Sequence, residues 1–214
     1  MPNQLIYFAD PMCSWCWGFS PVIDRIRDTY GDDLPVMLVL GGLQPGNTRP
    51  LNDETKDSIK EHWQHVFDRS AQPFEHAFFE RDGFVYDTEP PSRAIIALHS
   101  LANDSSLSSL KAMHHAFYAE NRDVTDADVL ADIAEEMGHD RAAFLDAFNS
   151  EDAHAATQRG FEFSRSIRVT GFPTLLAGDN ESGYRALTQG YQGWEDIQPA
   201  IDAYIAAPQV VNEA

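Results

Sequence analysis

The chain has 214 residues, of which 34 are Asp or Glu and 15 are Lys or Arg, so its formal net charge is −19. Such a charge repels nucleic acid and anionic membranes, and we expect neither as a partner. The acidic residues are spread along the chain, which favours a solvating surface and leaves open the steering of a basic partner. With 43% apolar residues, the composition is that of one globular domain, or one domain carrying an insertion.

The first residues of the chain indicate the cellular compartment, and the redox state of that compartment decides which roles a cysteine pair can have. "MPNQLIYFAD" lacks the cationic segment and the long apolar stretch of a signal peptide, so we expect a cytoplasmic protein. Both cysteines, Cys13 and Cys16, fall in one CxxC motif. In a reducing compartment such a pair is more often catalytic or metal-binding than structural. A disulfide across so short a loop would also constrain the unfolded chain very little.

The first predicted elements form a strand–helix–strand unit. The apolar run "LIYFA" (5–9) is rich in strand formers and indicates a buried strand. In "SPVIDRIRDTYG" we expect Ser20 as the N-cap of a helix, Pro21 in its first turn and Gly31 at its end. The run "PVMLVLGG" (35–42) predicts a second strand. Together these elements predict a parallel, right-handed βαβ unit.

A long helical pattern over about 53–168 separates this unit from a different pattern near the carboxyl end. After residue 168, "VTGFPTLLAG", the turn "GDNESG" and "YRALTQGY" predict two strands, and "GWEDIQPAIDAYIAA" predicts an amphipathic helix. A βαβ unit joined to a ββα unit is the thioredoxin fold, here with helices inserted between its halves. We therefore predict an α/β fold with a discontinuous thioredoxin-like domain (1–50 and 169–214) and an inserted all-helical domain (51–168).

The CxxC motif follows the first strand and opens the first helical region. In this context Cys13 would lie where unpaired helical N–H groups favour a thiolate, which makes it the candidate nucleophile. Cys16, one turn later, would be more buried and able to attack the sulfur of Cys13. The motif therefore predicts thiol–disulfide exchange.

Metal binding and an unreactive pair are the alternatives to exchange. Two cysteines supply only half of a structural tetrahedral zinc site. His62 and His65 lie three apart in a helical pattern, and His114 adjoins His115, but adjacent helical residues point apart. We expect these histidines at the surface or at the edge of the core, and we expect no metal.

A second motif, "TGFPT" (170–174), precedes a predicted strand. A Gly-Phe dipeptide before Pro173 indicates a turn at the entry to this strand. Together with an N-terminal CxxC on this fold, it predicts a cis proline whose neighbouring backbone binds an extended substrate. Of the aromatic residues around the cysteines, Trp15 is the candidate for an exposed ring that meets substrate. Trp17 and Phe19 fit either the core or the lip of the groove.

Five segments of the chain resemble the DsbA-like thioredoxin-fold oxidoreductases, in particular the cytoplasmic branch of predicted protein-disulfide isomerases related to the FrnE proteins. The segments are "DPMCSWCWGF", "LVLGGLQPG", "HWQHVF", "EPPSRAI" and "TGFPTL". The resemblance implies exchange at Cys13 with Cys16 as its partner, a cis Pro173 facing the pair, and Phe172 presenting its backbone to an extended substrate. It implies protein or peptide thiols and disulfides as substrates. No cofactor is implied beyond the redox-active disulfide, with glutathione as a candidate electron partner.

Motifs and resemblance together predict a thiol–disulfide oxidoreductase and isomerase that acts on proteins. Two alternatives stay open. One is a glutathione-dependent isomerase or transferase of the kappa type, which uses a single Ser or Cys. The other is a redox-dependent protein-binding (holdase) module that uses the helical domain. The sequence makes no prediction of the oligomeric state.

Overall fold

The computed structural model describes residues 4–102, 105–179 and 183–207. Within these residues a four-stranded sheet has the order β2-β1-β3-β4. Strand β1 pairs in parallel with β2 and antiparallel with β3, and β3 pairs antiparallel with β4. This is the sheet of the thioredoxin fold, so the predicted fold class is confirmed. The strands are β1 (Leu5–Ala9), β2 (Val36–Leu40), β3 (Thr174–Asp179) and β4 (Gly183–Gln189).

The described residues also form eight α-helices, six of which follow one another between β2 and β3. None of them combines the length and apolar character needed to cross a membrane. The predicted "GDNESG" turn includes residues 180–182, which lie outside the described residues, and the predicted domain boundaries stay a prediction. The helices are α1 (Ser14–Tyr30), α2 (Asp53–Ser70), α3 (Glu89–Leu101), α4 (Ser106–His114), α5 (Ala127–Glu136), α6 (Arg141–Phe148), α7 (Glu151–Ser166) and α8 (Trp194–Ala206).

Strand β1 is buried on both faces. Because successive side chains of a strand point to opposite faces, Leu5, Tyr7 and Ala9 face the large core that β1 shares with α1 and the helical block. Ile6 and Phe8 face a smaller core, where the ring of Phe163 from α7 lies 5.8 Å from that of Phe8. A wholly apolar strand is what burial on both faces requires.

Helix α1 begins earlier than its sequence predicts. The expected N-cap at Ser20 is wrong, because Cys13 is the N-cap and Pro21 lies inside the helix. A proline has no N–H to donate to the carbonyl four residues earlier, which leaves the Trp17 carbonyl without its helical partner. The Gln72 side chain donates to that carbonyl through Nε2, at 3.2 Å. A residue distant in sequence therefore lets the helix continue through the proline.

An aromatic cluster fills the centre of the helical block. The ring of Phe117 lies 5.2 Å from that of Phe78 and 4.9 Å from that of Tyr118. Trp63 of α2 packs on the same cluster, 5.2 Å from Phe78. Trp17 of α1 stacks on Tyr118 at 6.4 Å, so the cluster holds the CxxC helix against the helical block. Edge-to-face and stacked ring pairs of this kind add about 0.5–1.5 kcal/mol beyond their burial.

Truncation of the cluster should destabilise the fold. We expect Phe117→Ala to lower the free energy of unfolding by about 3–5 kcal/mol, because Phe117 is fully buried and contacts rings on several sides. The control is Phe67→Ala, since Phe67 is 48% exposed, and its cost should stay within about 0.5 kcal/mol. Urea denaturation followed by far-UV circular dichroism measures both values. Equal costs for the two variants would contradict this account of the core.

Candidate active site

The CxxC motif forms the amino-terminal turn of α1, directly after β1. The backbone of Cys13 is extended (φ −92°, ψ 112°), and its carbonyl accepts the N–H groups of Cys16 and Trp17, each at 3.0 Å. This turn brings the two thiols within hydrogen-bonding reach of each other, and both are free. Cys13 is 6% exposed and Cys16 is fully buried. Of the two sulfurs, Cys13 is therefore the one that a substrate can reach.

The surroundings of Cys16 hold a proton on its sulfur. Burial raises the pKa of the Cys16 thiol well above its ordinary value, and a hydrogen bond to Cys13 and the charge of a Cys13 thiolate raise it further. A main-chain hydrogen bond from Asp10 acts in the opposite direction. Cys16 therefore keeps its proton at neutral pH, as expected of a resolving thiol.

The loop before β3 closes over Cys13. The peptide bond between Phe172 and Pro173 is cis, as predicted. The Cys13 thiol donates to the Phe172 carbonyl, with Sγ 3.5 Å from the oxygen. The Phe172 ring packs against Gly41 at the end of β2, where an added Cβ would lie 2.0 Å from ring atom Cε1. A glycine is therefore needed at that position for the ring to reach its place.

A groove of about 450 Å³ opens beside Cys13. Trp15 forms part of its wall and packs against Tyr191, with ring centroids 5.5 Å apart. Of the site residues predicted from the sequence, Cys13, Trp15 and Phe172 line the groove, whereas Cys16 and Pro173 are buried. The groove is formed by the start of α1, the segment after β2, helix α2 and the cis-proline loop. Its lining residues are Met12, Cys13, Ser14, Trp15, Leu43, Gln44, Thr55, Ser58, Ile59, His62, Trp63, Tyr86, Gly171 and Phe172.

The other two aromatic residues near the cysteines belong to the core. Phe19 is fully buried and Trp17 is 3% exposed, with its Nε1 donating to the Pro73 carbonyl at 3.0 Å. His62 and His65 are exposed on α2, and His62 lines the groove. Over residues 4–102, 105–179 and 183–207, no cluster of three or more His, Cys, Asp or Glu side chains could hold a metal ion.

Asp10 joins two loops that line the groove, the CxxC loop and the segment after β2. Its carboxylate accepts the Met12 N–H at 2.9 Å and the Leu43 N–H at 2.6 Å, and it also bonds the Thr88 side chain. Burial raises the pKa of Asp10 to about 6, and the main-chain hydrogen bonds from Leu43 and Met12 limit the rise. The carboxyl is therefore ionised at neutral pH in spite of being fully buried.

Two residues of the helical block hold the CxxC loop, and the motifs did not identify them as site residues. The Tyr86 hydroxyl donates to the Met12 carbonyl, and His114 Nε2 lies 3.0 Å from the Asp10 carbonyl oxygen. Since a carbonyl only accepts, Nε2 carries the proton. Burial lowers the pKa of His114 to about 4, so the ring is neutral at pH 7. In the sequence His114 is one of two adjacent histidines, and no local pattern separates it from the exposed His115.

The comparisons with known proteins agree with this geometry. The model of the family described as "DSBA-like thioredoxin domain" matches residues 4–202. The chain belongs to that family. Among solved structures, this DSBA-like chain is similar to a proposed protein disulfide isomerase from Nitrosomonas europaea, with 32% identity, coverage of 96% of this chain and 98% of that one, and a TM-score of 0.88. It shares the fold of the cytosolic disulfide reductase DsbM from Pseudomonas aeruginosa, with 23% identity, coverage of 94% and 98%, and a TM-score of 0.76.

Among curated proteins, the chain is similar to the ClpXP adapter protein SpxH of Bacillus subtilis (strain 168). The two are 24% identical over 176 residues, which are 81% of this chain and 58% of that relative. The chain thus spans less than two thirds of the length of this curated relative. The predicted DsbA-like resemblance is confirmed by the family match, and the finer assignment to an isomerase branch stays a prediction.

The burial of His114 predicts a pH-dependent contribution to stability. The unfolded chain takes up a proton on this histidine near its ordinary pKa of 6.5, whereas the folded chain does so only near 4, so the stability due to His114 falls as pH falls through this range. We expect the cost of His114→Gln in free energy of unfolding to be larger at pH 7 than near pH 4, by up to about 3 kcal/mol. Urea denaturation of both proteins at several pH values measures it.

The exposed His65 provides the control substitution, His65→Gln, on the same helical block. A cost of His114→Gln that is the same at every pH would mean that the His114 ring is not held neutral by burial.

Proposed function

We propose that this chain is a dithiol–disulfide oxidoreductase and isomerase for protein and peptide substrates, with Cys13 as the nucleophile and Cys16 as the resolving thiol. The observation that carries the proposal is the position of the Cys13 sulfur, 3.5 Å from the Phe172 carbonyl in the wall of a groove, with Cys16 fully buried behind it. A reachable first thiol and a protected second thiol are what two-step exchange needs.

In the reducing direction, the Cys13 thiolate attacks one sulfur of a substrate disulfide. A Cys13–substrate disulfide forms, and the other substrate sulfur leaves as a thiolate that takes a proton from solvent. Cys16 then loses its proton and attacks Cys13 Sγ, which forms the Cys13–Cys16 disulfide and releases the second substrate sulfur. Two electrons have moved from the chain to the substrate, and the reverse sequence oxidises a substrate. Isomerisation follows when a substrate thiol, rather than Cys16, attacks the mixed disulfide.

The groove suits an extended polypeptide. When Cys13 is a thiolate it no longer donates to the Phe172 carbonyl, and this oxygen becomes available to a substrate N–H group. An extended segment bound through its main chain beside the cis proline would bring a cystine sulfur to Cys13. The Trp15 ring, which forms part of the groove wall, would contact apolar side chains of such a segment.

The charge of the groove favours peptides over glutathione as the main substrate. Among the described residues that line it, His62 is the one side chain able to carry a positive charge. Glutathione carries two carboxylates and one ammonium group at neutral pH, so it is a net anion, and the net charge of −19 repels it. A solved DsbM structure with glutathione shares this fold at 24% identity and a TM-score of 0.76, which supports glutathione as an electron partner that exchanges with Cys13.

DsbM is described as cytosolic, and we place this chain in the cytoplasm as well.

A protein-binding role is the second candidate function. The curated relatives are named as adapters of ClpXP, and adapters act by binding proteins. On this hypothesis the same groove binds polypeptide, and the oxidation state of the thiols changes the affinity of binding instead of transferring electrons to a substrate.

Substitution of each cysteine separates these readings. We expect Cys13→Ser to abolish exchange with a disulfide-containing unfolded protein, because no thiol then lines the groove. We expect Cys16→Ala to accumulate a mixed disulfide at Cys13, because nothing resolves it. Non-reducing electrophoresis after acid quenching measures the trapped species, and the double variant is the control. An active wild type whose Cys16→Ala variant traps nothing would refute the assigned roles.

A further inference from the structure

Tyr7 is a buried phenol of β1 on the face of the sheet that carries α1. Its side chain is 1% exposed, and its hydroxyl meets no partner at good hydrogen-bond geometry within the described residues. The Cys16 side chain lies within hydrogen-bonding reach of this hydroxyl, and the charges of both Cys16 and Cys13 thiolates act on it. A buried hydroxyl without a hydrogen-bond partner lowers the stability of the fold. A functional role would explain why a tyrosine stands beside a reactive sulfur in spite of this cost.

A small cavity of about 20 Å³ adjoins Tyr7. Its polar lining consists of Tyr7, Ser20, Asp24 and Lys111, and the rest of its lining is apolar. A cavity of this size admits one water molecule, and the polar groups can supply its hydrogen bonds. Lys111 Nζ donates to Asp24 at 2.5 Å, and both side chains are about half exposed, so the far side of the cavity reaches solvent.

We propose that Tyr7 is the proton-transfer residue of Cys16, passing a proton between the Cys16 thiol and a water in this cavity, with Asp24 at the solvent end. The inference rests on the proposed exchange function and deepens it. The fully buried Cys16 thiol thereby has a route by which it loses its proton at the moment when it must attack.

In the resolving reaction, two protons move while one disulfide is exchanged for another. The Cys16 S–H bond breaks and its proton goes to the Tyr7 oxygen, while the Tyr7 O–H proton passes to the water and then to Asp24 or solvent. The Cys16 thiolate forms the bond to Cys13 Sγ, and the bond between Cys13 and the substrate sulfur breaks. The substrate leaves as a thiolate, and Tyr7 ends the step as it began, as a neutral phenol.

The groups that titrate near this path come from a small set of elements. The register partners of Tyr7 on β2 and β3 are Leu38 and Leu175, which are apolar. Titratable and charged groups therefore reach the path from α1, from α4, from the loop after β1 and from the helical block; they are Cys13, Cys16, Asp24, Lys111, Asp10, Tyr86 and Tyr118.

The resolving step can be measured by itself. Cys13 is converted to its mixed disulfide with 5-thio-2-nitrobenzoate, and attack by Cys16 releases the coloured thiolate. Stopped-flow absorbance over about pH 6–10 gives the rate of this step and its dependence on pH. We expect Tyr7→Phe to slow release by about tenfold or more at pH 7 and to move the pH midpoint upward, with the limiting rate at high pH retained. Alkylation of Cys13 by iodoacetamide should stay within about twofold of wild type.

Tyr30→Phe is the matched control, because the Tyr30 hydroxyl bonds Asp202 at the surface, away from the cysteines. Asp24→Asn is a second variant that leaves the core intact, and it should slow release in the same direction. The proposal is overturned if the Tyr7→Phe variant releases the coloured thiolate at the wild-type rate. It is also overturned if release is slowed by the same factor at every pH and the pH midpoint does not move. A wild type that releases no nitrobenzoate thiolate from Cys13 would instead overturn the dithiol function itself.

Discussion

The buried Asp10 is the residue on which the arrangement of the candidate site depends. Its carbonyl accepts the N–H of Cys13 at 3.1 Å and bonds to His114, while its carboxylate accepts the N–H groups of Met12 and Leu43. One residue at the end of β1 thereby fixes the turn that starts α1, the segment after β2 and the contact with the helical block. The groove exists because these three parts meet at Asp10.

Burial shifts the pKa values of the two titratable groups that meet there in opposite directions. It favours the neutral form of each, so it raises the pKa of the Asp10 carboxyl and lowers that of the His114 ring. The stability contributed by Asp10 is present below its ordinary value of 3.8 and is lost as pH rises through about 6. The contribution of His114 is lost as pH falls over much of the same range. The two dependences oppose each other, so the site is less sensitive to mild acid than either group would be alone.

Local sequence signals predicted the elements whose pattern is complete within a few residues. The apolar run of β1, the position of CxxC after it, and the Gly-Phe-Pro turn at Pro173 are such cases. The sequence prediction for the start of α1 is wrong because Ser20-Pro21 is a good local helix start. Gln72, far away in sequence, donates the hydrogen bond to the Trp17 carbonyl that an internal proline cannot donate. His114 and Tyr7 were missed as site residues because their importance comes from burial against the CxxC turn. Their own neighbours in sequence give no sign of that contact.

The central claim is that Cys13 and Cys16 form one reversible two-electron couple, and equilibration in graded glutathione buffers tests it most directly. Free thiols are counted by alkylation and mass spectrometry after each equilibration. We expect both thiols to disappear together in a single transition, with a tenfold change in the ratio of oxidised to reduced protein for each change of about 30 mV. Loss of one thiol at a time, with stable glutathione adducts at Cys13 and no intramolecular disulfide, would contradict it.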